Sequence, residues 1–538
     1  MHVWWQGAVV YQIYPRSFQD SNGDGVGDLA GIISRLPYVA SLGVDAIWLS
    51  PIFTSPMADM GYDVSDYCDI DSLFGDLADF DRLVTCAHDL GLKVIIDQVI
   101  SHTSDQHPWF KEARSHKNSL KKDWYVWADP KADGTPPNNW AAVFGGSAWE
   151  WDTRQRQYYL HNFLISQPDL NVHNPDVQNA LLDTMRFWLE RGVDGFRLDT
   201  VNFYMHDLAL RDNPPEIHTH PPLNTYDFQD HVYSKTRPEN IAFLERIRAL
   251  TNEFDDRTLI GEVGEGRRCI DIMAAYTSGN NRLHMAYSFG MLSDEFSATH
   301  FRNQIQGFFD KAPDAWPSWS FSNHDVDRHV SRWLACSESA DAVAKQAIAM
   351  LVSFPGSLGI YQGEELGMLQ TNMEYHELTD PPGIRFWPEQ KGRDGCRTPM
   401  VWDASEHGGF SSAKPWLPVK KPQLASNAEN QEHRQDSVLN HYRKALMLRK
   451  QLLALQGREF DFLDTPEPML TLVRGSGNDA LLCVFNLSHQ SVNVAVAGMG
   501  RLFPLSQAAK ITDDVLNLGP NGVAYVGTAA VGSPFALL

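Results

Sequence analysis

The sequence predicts an α/β chain folded as a (β/α)8 TIM barrel, with a subdomain inserted after the third strand and an all-β sandwich domain at its C-terminal end. Three observations predict it. Short apolar runs alternate with amphipathic helical patterns, the alternation yields eight strands, and carboxylates stand near the ends of several of them. With 538 residues the chain is also too long for one core.

The first strand covers 9–14. A helix over about 28–42 follows, with Leu29, Ile32, Ile33 and Leu36 at helical spacing, and Gly43 ends it. A strand at 46–50, a helix near 76–90 ended by Gly91 and a strand at 93–97 continue the pattern. This order implies parallel strands joined by right-handed crossovers. Residues 102–173 then break the alternation, being rich in Trp, Asn, Pro, Gly and charges. The segment is too long for a structureless loop, so it reads as an inserted subdomain B. A helix at about 175–191, with Val177, Leu181, Met185, Trp188 and Leu189, restarts the pattern. Strands follow at 195–199, 258–263, 283–289 and 318–323, and a helix at 339–354 leads to the eighth strand at 358–362.

An irregular insertion at 364–432 precedes the closing helix at about 437–455. Residues 1–101 and 174–456 therefore form the barrel, 102–173 the inserted subdomain and 457–538 a terminal β domain. The alternative, an open doubly wound sheet, lacks a Gly-rich phosphate loop to support it. There is no internal repeat or low-complexity tract.

Composition narrows the partners. Apolar residues make up 43% and charged residues 21%, ordinary for a globular protein. A net charge of −22 excludes the basic footprint of a nucleic-acid binder and disfavours acidic substrates or anionic membranes. Cys68, Cys86, Cys269, Cys336, Cys396 and Cys483 form no CxxC pair, which reads as free thiols in a reducing compartment. No secretory signal and no membrane-length apolar run is visible, so a cytoplasmic protein is expected, as monomer or homodimer.

Two groups of residues carry chemistry. The loop Asp20-Ser21-Asn22-Gly23-Asp24-Gly25-Val26-Gly27-Asp28 matches the first nine positions of a calcium loop, with oxygen ligands at alternate positions. Gly31 replaces the bidentate Glu at the twelfth position, so a standard EF-hand is not expected. A structural Ca²⁺ or Mg²⁺ on Asp20, Asn22, Asp24, the Val26 carbonyl and Asp28 is, and no organic cofactor. The alternative is a metal-free Asp/Gly-rich turn.

The second group is Asp199, Glu262 and Asp325, each at the end of a predicted strand. Glycosidic bond cleavage with retention needs two carboxyl groups about 5–5.5 Å apart, one ionised to attack and one protonated to donate. Period-2 alternation puts Arg197 on the same face as Asp199, where its charge favours the ionised form and hence the nucleophile role. Glu262 has no adjacent cation in sequence and suits the proton donor. Asp325, beside His324, suits binding of sugar hydroxyls and stabilisation of positive charge on the ring. Three structural carboxylates would satisfy the sequence equally.

The motifs Asp97-Gln98-Val99-Ile100-Ser101-His102, Gly195-Phe196-Arg197-Leu198-Asp199, Gly261-Glu262-Val263 and Phe321-Ser322-Asn323-His324-Asp325, in this order, resemble those of the α-amylase superfamily, glycoside hydrolase family 13. The similarity runs nearly end to end and is to its α-glucosidases. It implies a retaining mechanism with a β-glucosyl ester on Asp199, Glu262 as acid then base, and Asp325 stabilising the transition state. His102 and His324 would contact the sugar.

The stretch Gln167-Pro168-Asp169-Leu170-Asn171 is similar to the signature of the oligo-1,6-glucosidase subfamily. The segment 59–63 also matches. There the resemblance implies that Asp59 binds the non-reducing glucose, Tyr62 stacks on it, and Arg397 pairs with Asp59 to close an exo-acting pocket. Arg393 and Arg397 would otherwise be solvated loop charges. Thr200 after the nucleophile goes, in the resembling enzymes, with α-1,4 preference. One departure is Ser101, where the family usually has Asn, a longer side chain.

The expected substrates are short oligosaccharides or disaccharides, with glucosyl transfer to hydroxyl acceptors beside hydrolysis. The rivals are a trehalose synthase or sucrose isomerase, using the same residues, and a non-catalytic transporter-associated subunit. The last would carry a membrane helix and lack catalytic carboxylates, and this chain shows the opposite.

Overall fold

The computed structural model describes residues 3–337, 339–528 and 535–537. Eight parallel strands form the centre: β1 (Val9–Ile13), β2 (Ala46–Leu49), β3 (Lys93–Gln98), β4 (Gly195–Leu198), β5 (Thr258–Val263), β6 (Met285–Ser288), β7 (Ser318–Ser320) and β8 (Ser357–Tyr361). They lie in the order β6-β5-β4-β3-β2-β1-β8-β7. A parallel bridge between Ala286 and Pro317 joins the two ends and closes the barrel.

The main helices around it are α1 (Leu29–Ser41), α2 (Leu77–Asp89), α3 (Pro175–Glu190), α4 (Asn240–Thr251), α5 (Cys269–Thr277), α6 (Ala298–Lys311), α7 (Ala340–Ser353) and α8 (Val438–Gln451). Local chemistry starts several of them. Asp28 caps α1 by accepting from the Gly31 amide, Asp76 and Asp79 form a capping box on α2, and Asn174 caps α3 ahead of Pro175. Leu29, Ile32 and Leu36 of α1 and Val177, Leu181, Met185 and Trp188 of α3 are fully buried, so each apolar stripe faces the sheet.

Several strands stop short of their expected ends, and two of these bear on the carboxylates. β4 ends at Leu198, leaving Asp199 just beyond it, and β7 ends at Ser320, leaving Asn323, His324 and Asp325 on the following loop. The backbone turns there: Thr200 has φ 40°, a left-handed value uncommon for a β-branched residue. Glu262 lies inside β5.

Between β3 and α3 the chain forms a short helix (Pro108–Ala113) and a three-stranded antiparallel sheet of Trp127–Ala128, Trp149–Asp152 and Gln157–Leu160. Trp140 and Trp149 are at its centre, with ring centroids 5.9 Å apart. After α8 the described chain forms an antiparallel domain that includes β9 (Phe460–Phe462), β10 (Met469–Arg474), β11 (Leu481–Asn486), β12 (Val492–Ala497), β13 (Met499–Leu502), β14 (Gln507–Thr512) and β15 (Val515–Thr528). One apolar side of it, including Leu472, Cys483, Phe485 and Tyr525, joins the barrel core. Val484, Val494, Leu516 and Val526 form a separate small core. Among the described residues no helix is long and apolar enough to cross a membrane, and the six cysteines are free thiols.

Candidate active site

Strand alternation builds the site in layers. Inside the barrel, Val10, Ala46, Ile95, Ile260 and Met285 belong to one apolar cluster. Two residues further along each strand come Gln12, Trp48, Asp97, Glu262 and Tyr287, with Arg197 beside Asp97 in register. Period 2 forces these positions onto the same inward face, so a polar layer sits on an apolar floor.

Arg197 organises this layer and is completely buried. Its Nη1 lies 2.8 Å from Asp97 Oδ1 and 2.6 Å from Asp199 Oδ1, and its Nη2 lies 2.5 Å from Glu262 Oε1. Nε and Nη2 also donate to the Tyr287 hydroxyl at 3.0 and 2.9 Å, and the guanidinium carbon is 4.8 Å from the Trp48 ring centre. One cation thus faces three carboxyl groups. Glu262 has no adjacent cation in sequence but meets one in the fold: a guanidinium fork reaches across strands, which sequence adjacency does not show.

Burial, with one cation for three carboxyl groups, sets the titration. Burial raises Asp199 to about 7, against the pull of Arg197 and with help from Asp97 and Asp325. Burial likewise raises Glu262 to about 7, with Asp199 and Asp325 adding to it and Arg197 opposing. Asp97 rises to about 6 for the same leading reason. Asp199 and Glu262 titrate as a pair, and near neutral pH the pair retains one proton. Burial would raise Asp325 too, but the guanidinium groups of Arg393, Arg397 and Arg197 hold it well below the usual carboxylate range.

Asp199 offers two unlike oxygens. Oδ1 is held by Arg197, while among the described residues Oδ2 accepts only from the Thr200 hydroxyl, at 3.2 Å. The strained Thr200 backbone aims its N–H at Glu262 Oε2, 3.1 Å away, so one residue touches both carboxyl groups. Tyr287 donates to the other oxygen of Glu262 at 3.1 Å.

The far end of the pocket is closed by Arg393. Its Nη2 is 2.8 Å from Asp59 Oδ1 and 2.6 Å from Asp380 Oδ1, and its Nη1 is 3.3 Å from Asp325 Oδ1. The expected pairing of Arg397 with Asp59 is therefore corrected. Arg397 sits one 3-10 turn (Asp394–Cys396) further on, fully buried, donating to the His324 carbonyl at 2.8 Å and to Asp325 Oδ1 at 3.0 Å. The turn leaves Arg393 against Asp59 and puts both arginines on Asp325. Gln167 completes the Asp59 environment, donating to Oδ2 at 3.1 Å.

The histidines are neutral wedges. Burial lowers His102 to about 4 and holds His324 well below its ordinary value. His324 Nδ1 accepts from Gln12 at 2.7 Å, its Nε2 is 2.5 Å from the Tyr62 hydroxyl, and that hydroxyl donates to Asp97 Oδ2 at 3.1 Å. Tyr62 stacks on the His324 ring, with centroids 5.3 Å apart. His102 Nε2 is 3.0 Å from the Tyr62 carbonyl and its Nδ1 is 2.9 Å from Ser101 Oγ, which lies 3.3 Å from Thr200 Oγ1.

A cavity of about 1200 Å³ opens over this layer, and Asp59, Tyr62, His102, Asp199, Thr200, Glu262, Asp325 and Arg393 line it. Arg197, His324 and Arg397 lie behind its wall and act through the groups they hold. Sequence reasoning assigned no role to Asp97, Tyr287, Gln167 or Asp380. Inward parity within β3 and β6 was a usable signal for the first two, whereas Asp380 lies in an irregular loop that carries none.

The loop at 20–28 is elsewhere, against the 403–416 segment. Asp20 Oδ1 accepts from the Asn22 and Gly23 amides, Asn22 Oδ1 from Asp24, and Asp24 Oδ1 from Val26. Asp20 Oδ2 accepts from the Gly25 amide and Ser411 Oγ, and Asp28 from Ser21 and Gly31. The oxygen types suit a hard cation. However, among the described residues no three Asp, Glu, His or Cys side chains are gathered to hold a metal ion.

A closed parallel barrel with carboxyl groups clustered where its strands end defines a barrel enzyme of the glycoside hydrolase type. Residues 12–457 match the alpha-amylase catalytic domain, and the chain belongs to that family, glycoside hydrolase family 13. It is 55% identical over 509 residues to a probable alpha-glucosidase of Rhizobium meliloti (strain 1021), covering 93% of this chain and 92% of the relative. Its fold is similar to that of the α-glucosyl transfer enzyme XgtA, with TM-score 0.94, 48% identity and coverage of 99% and 100%. It is also similar to isomaltulose synthase from Erwinia rhapontici NX5, with TM-score 0.88, 32% identity and coverage of 98% and 99%.

Proposed function

We propose that this glycoside hydrolase is an exo-acting, retaining α-glucosidase that removes non-reducing terminal α-glucose from short substrates such as maltose. The observation that carries this is the joint grip of Arg197 on Asp199 and Glu262, in a pocket whose end is closed by Asp59 and Arg393. In this reading Asp199 Oδ2 attacks the anomeric carbon while Glu262 protonates the leaving oxygen. The bond to the aglycone breaks as the ester forms. Glu262, now ionised, takes a proton from water or another hydroxyl, which attacks the ester and regenerates Asp199. Asp325, kept ionised, stabilises the positive charge of both transition states.

The α-1,4 preference is supported by Thr200, which lines the cavity beside Asp199. Transfer to alcohol or sugar acceptors is supported by Phe163, Phe203 and Phe289 on the same cavity wall, where apolar rings disfavour water. The Asp20–Asp28 loop keeps its expected structural Ca²⁺ or Mg²⁺ as a proposal, supported by its run of oxygen donors. Free thiols support a reducing, cytoplasmic location.

The test is incubation with maltose, isomaltose, sucrose and trehalose separately, with products followed by chromatography. Glucose released fastest from maltose supports the reading. Faster cleavage of isomaltose overturns the linkage preference, and trehalose or isomaltulose as the main product moves the enzyme to the isomerising class.

A further inference from the structure

We propose that Ser101 is a positioning residue that makes the Thr200 hydroxyl a two-position switch following the charge on the nucleophile. The inference rests on the reading of Asp199 as nucleophile. It starts from a count of protons. Four groups lie in a row: His102 Nδ1, Ser101 Oγ, Thr200 Oγ1 and Asp199 Oδ2, at successive distances of 2.9, 3.3 and 3.2 Å. His102 is neutral, and its Nε2 lies 3.0 Å from the Tyr62 carbonyl and 3.2 Å from the Gln167 amide nitrogen, which also donates to Asp59 Oδ2; the carbonyl can only accept, so the single N–H proton belongs on Nε2 and Nδ1 is an acceptor. Ser101 therefore gives its one proton to His102 and keeps its lone pairs free toward Thr200.

Thr200 also has one proton and faces two acceptors, Ser101 Oγ and Asp199 Oδ2. While Asp199 is a carboxylate, the charged oxygen is the stronger acceptor and takes that proton. Oδ1 is tied to Arg197, so Oδ2 is the oxygen free to attack. When Oδ2 bonds to the anomeric carbon and the glycosidic C–O bond breaks, with Glu262 supplying the proton to the leaving group, Oδ2 becomes an ester oxygen and a poor acceptor. The Thr200 hydroxyl then rotates to Ser101. No proton is transferred in this rotation, and the hydroxyl of the part-buried Thr200 keeps a protein acceptor throughout.

An asparagine at this position would present both an amide donor and a carbonyl acceptor. Serine supplies an acceptor because His102 holds its proton. Ser101 is 1% exposed, so water does not substitute for it readily.

The test is a double-mutant cycle of Ser101→Ala and Thr200→Val, read as pre-steady-state rates of ester formation and breakdown with an aryl α-glucoside. Ser101→Ala is expected to slow ester formation about tenfold with KM little changed, since Thr200 loses its second acceptor. In the Thr200→Val background the same change is expected to cost nothing further. Ser101→Thr, which keeps the hydroxyl, restores the rate. Additive losses, or failure of Ser101→Thr to rescue, would show that Ser101 acts only by holding His102 and overturn the inference. Loss of the nucleophile assignment is separable: it would appear as near-normal activity in Asp199→Asn with no ester trapped in the parent enzyme.

Discussion

Arg197 Nη2 lies 2.5 Å from Glu262 Oε1, and Nη1 of the same guanidinium lies 2.6 Å from Asp199 Oδ1. The proposed acid and the proposed nucleophile are thus bridged by one cation. Their different roles do not come from one having a cation and the other none. They come from a shared proton and from the remaining contacts: a hydroxyl on Asp199 Oδ2, and a backbone amide and Tyr287 on Glu262.

That sharing makes the nucleophile a sharp test. We expect Asp199→Asn to lower maltose hydrolysis by at least about 1,000-fold while circular dichroism stays unchanged. Near wild-type glucose release would remove Asp199 from the mechanism.

The pair also shapes the pH profile. Near pH 7 it holds one proton, so kcat/KM should fall at lower pH as the nucleophile becomes protonated and at higher pH as the acid loses its proton. Glu262→Gln should abolish the alkaline limb. It should also depress maltose cleavage about 100-fold or more, yet depress ester formation from an activated aryl glucoside much less, because such a leaving group needs no proton. An alkaline limb surviving in Glu262→Gln would move the acid elsewhere.

Arg393 and Arg397 separate by phenotype. Arg393→Lys keeps a charge near Asp59 but loses the fork that also reaches Asp380, and we expect KM for maltose to rise about tenfold or more with a smaller change in kcat. Arg397→Lys loosens Asp325 and should chiefly lower kcat. Steady-state kinetics on both variants decides it, and the reverse assignment would restore the pairing expected from the sequence.

Asp169 carries a stability cost that pH reveals. Burial raises it to about 8, Asn162 donates twice to its Oδ2, and its Oδ1 has no partner. The folded chain holds a proton that the unfolded chain releases near its ordinary value of about 3.9. Stability from this group is therefore full below that value and is lost as pH rises through about 8. Asp169→Asn should raise the melting temperature at pH 8 by about 1–3 °C and narrow its difference from pH 5. An unchanged or lower value at pH 8 would show that the carboxylate is accommodated.

For the Asp20–Asp28 loop, calorimetry with Ca²⁺ or Mg²⁺ on EDTA-treated protein should show binding, with a melting temperature about 2–4 °C higher at saturating ion. Asp24→Asn should weaken it. No heat and no shift would leave the loop as the hydrogen-bonded turn described above.

The sequence by itself determined the barrel, because eight apolar runs of strand length separated by helical stripes have few ways to bury both kinds of face. It also singled out the candidate carboxylates. Asp199, Glu262 and Asp325 stand at or shortly after the ends of predicted strands, and period 2 placed Arg197 on the face of Asp199. Only the tertiary structure decided who touches whom. Arg197 reaches Asp97 on one neighbouring strand and Glu262 on the other, and Arg393, not Arg397, crosses 334 positions of sequence to Asp59. Such contacts depend on long side chains meeting across elements, and spacing along one strand says nothing about them. The titration followed from the same source, since burial and the ratio of three carboxyl groups to one guanidinium exist only once the barrel has closed.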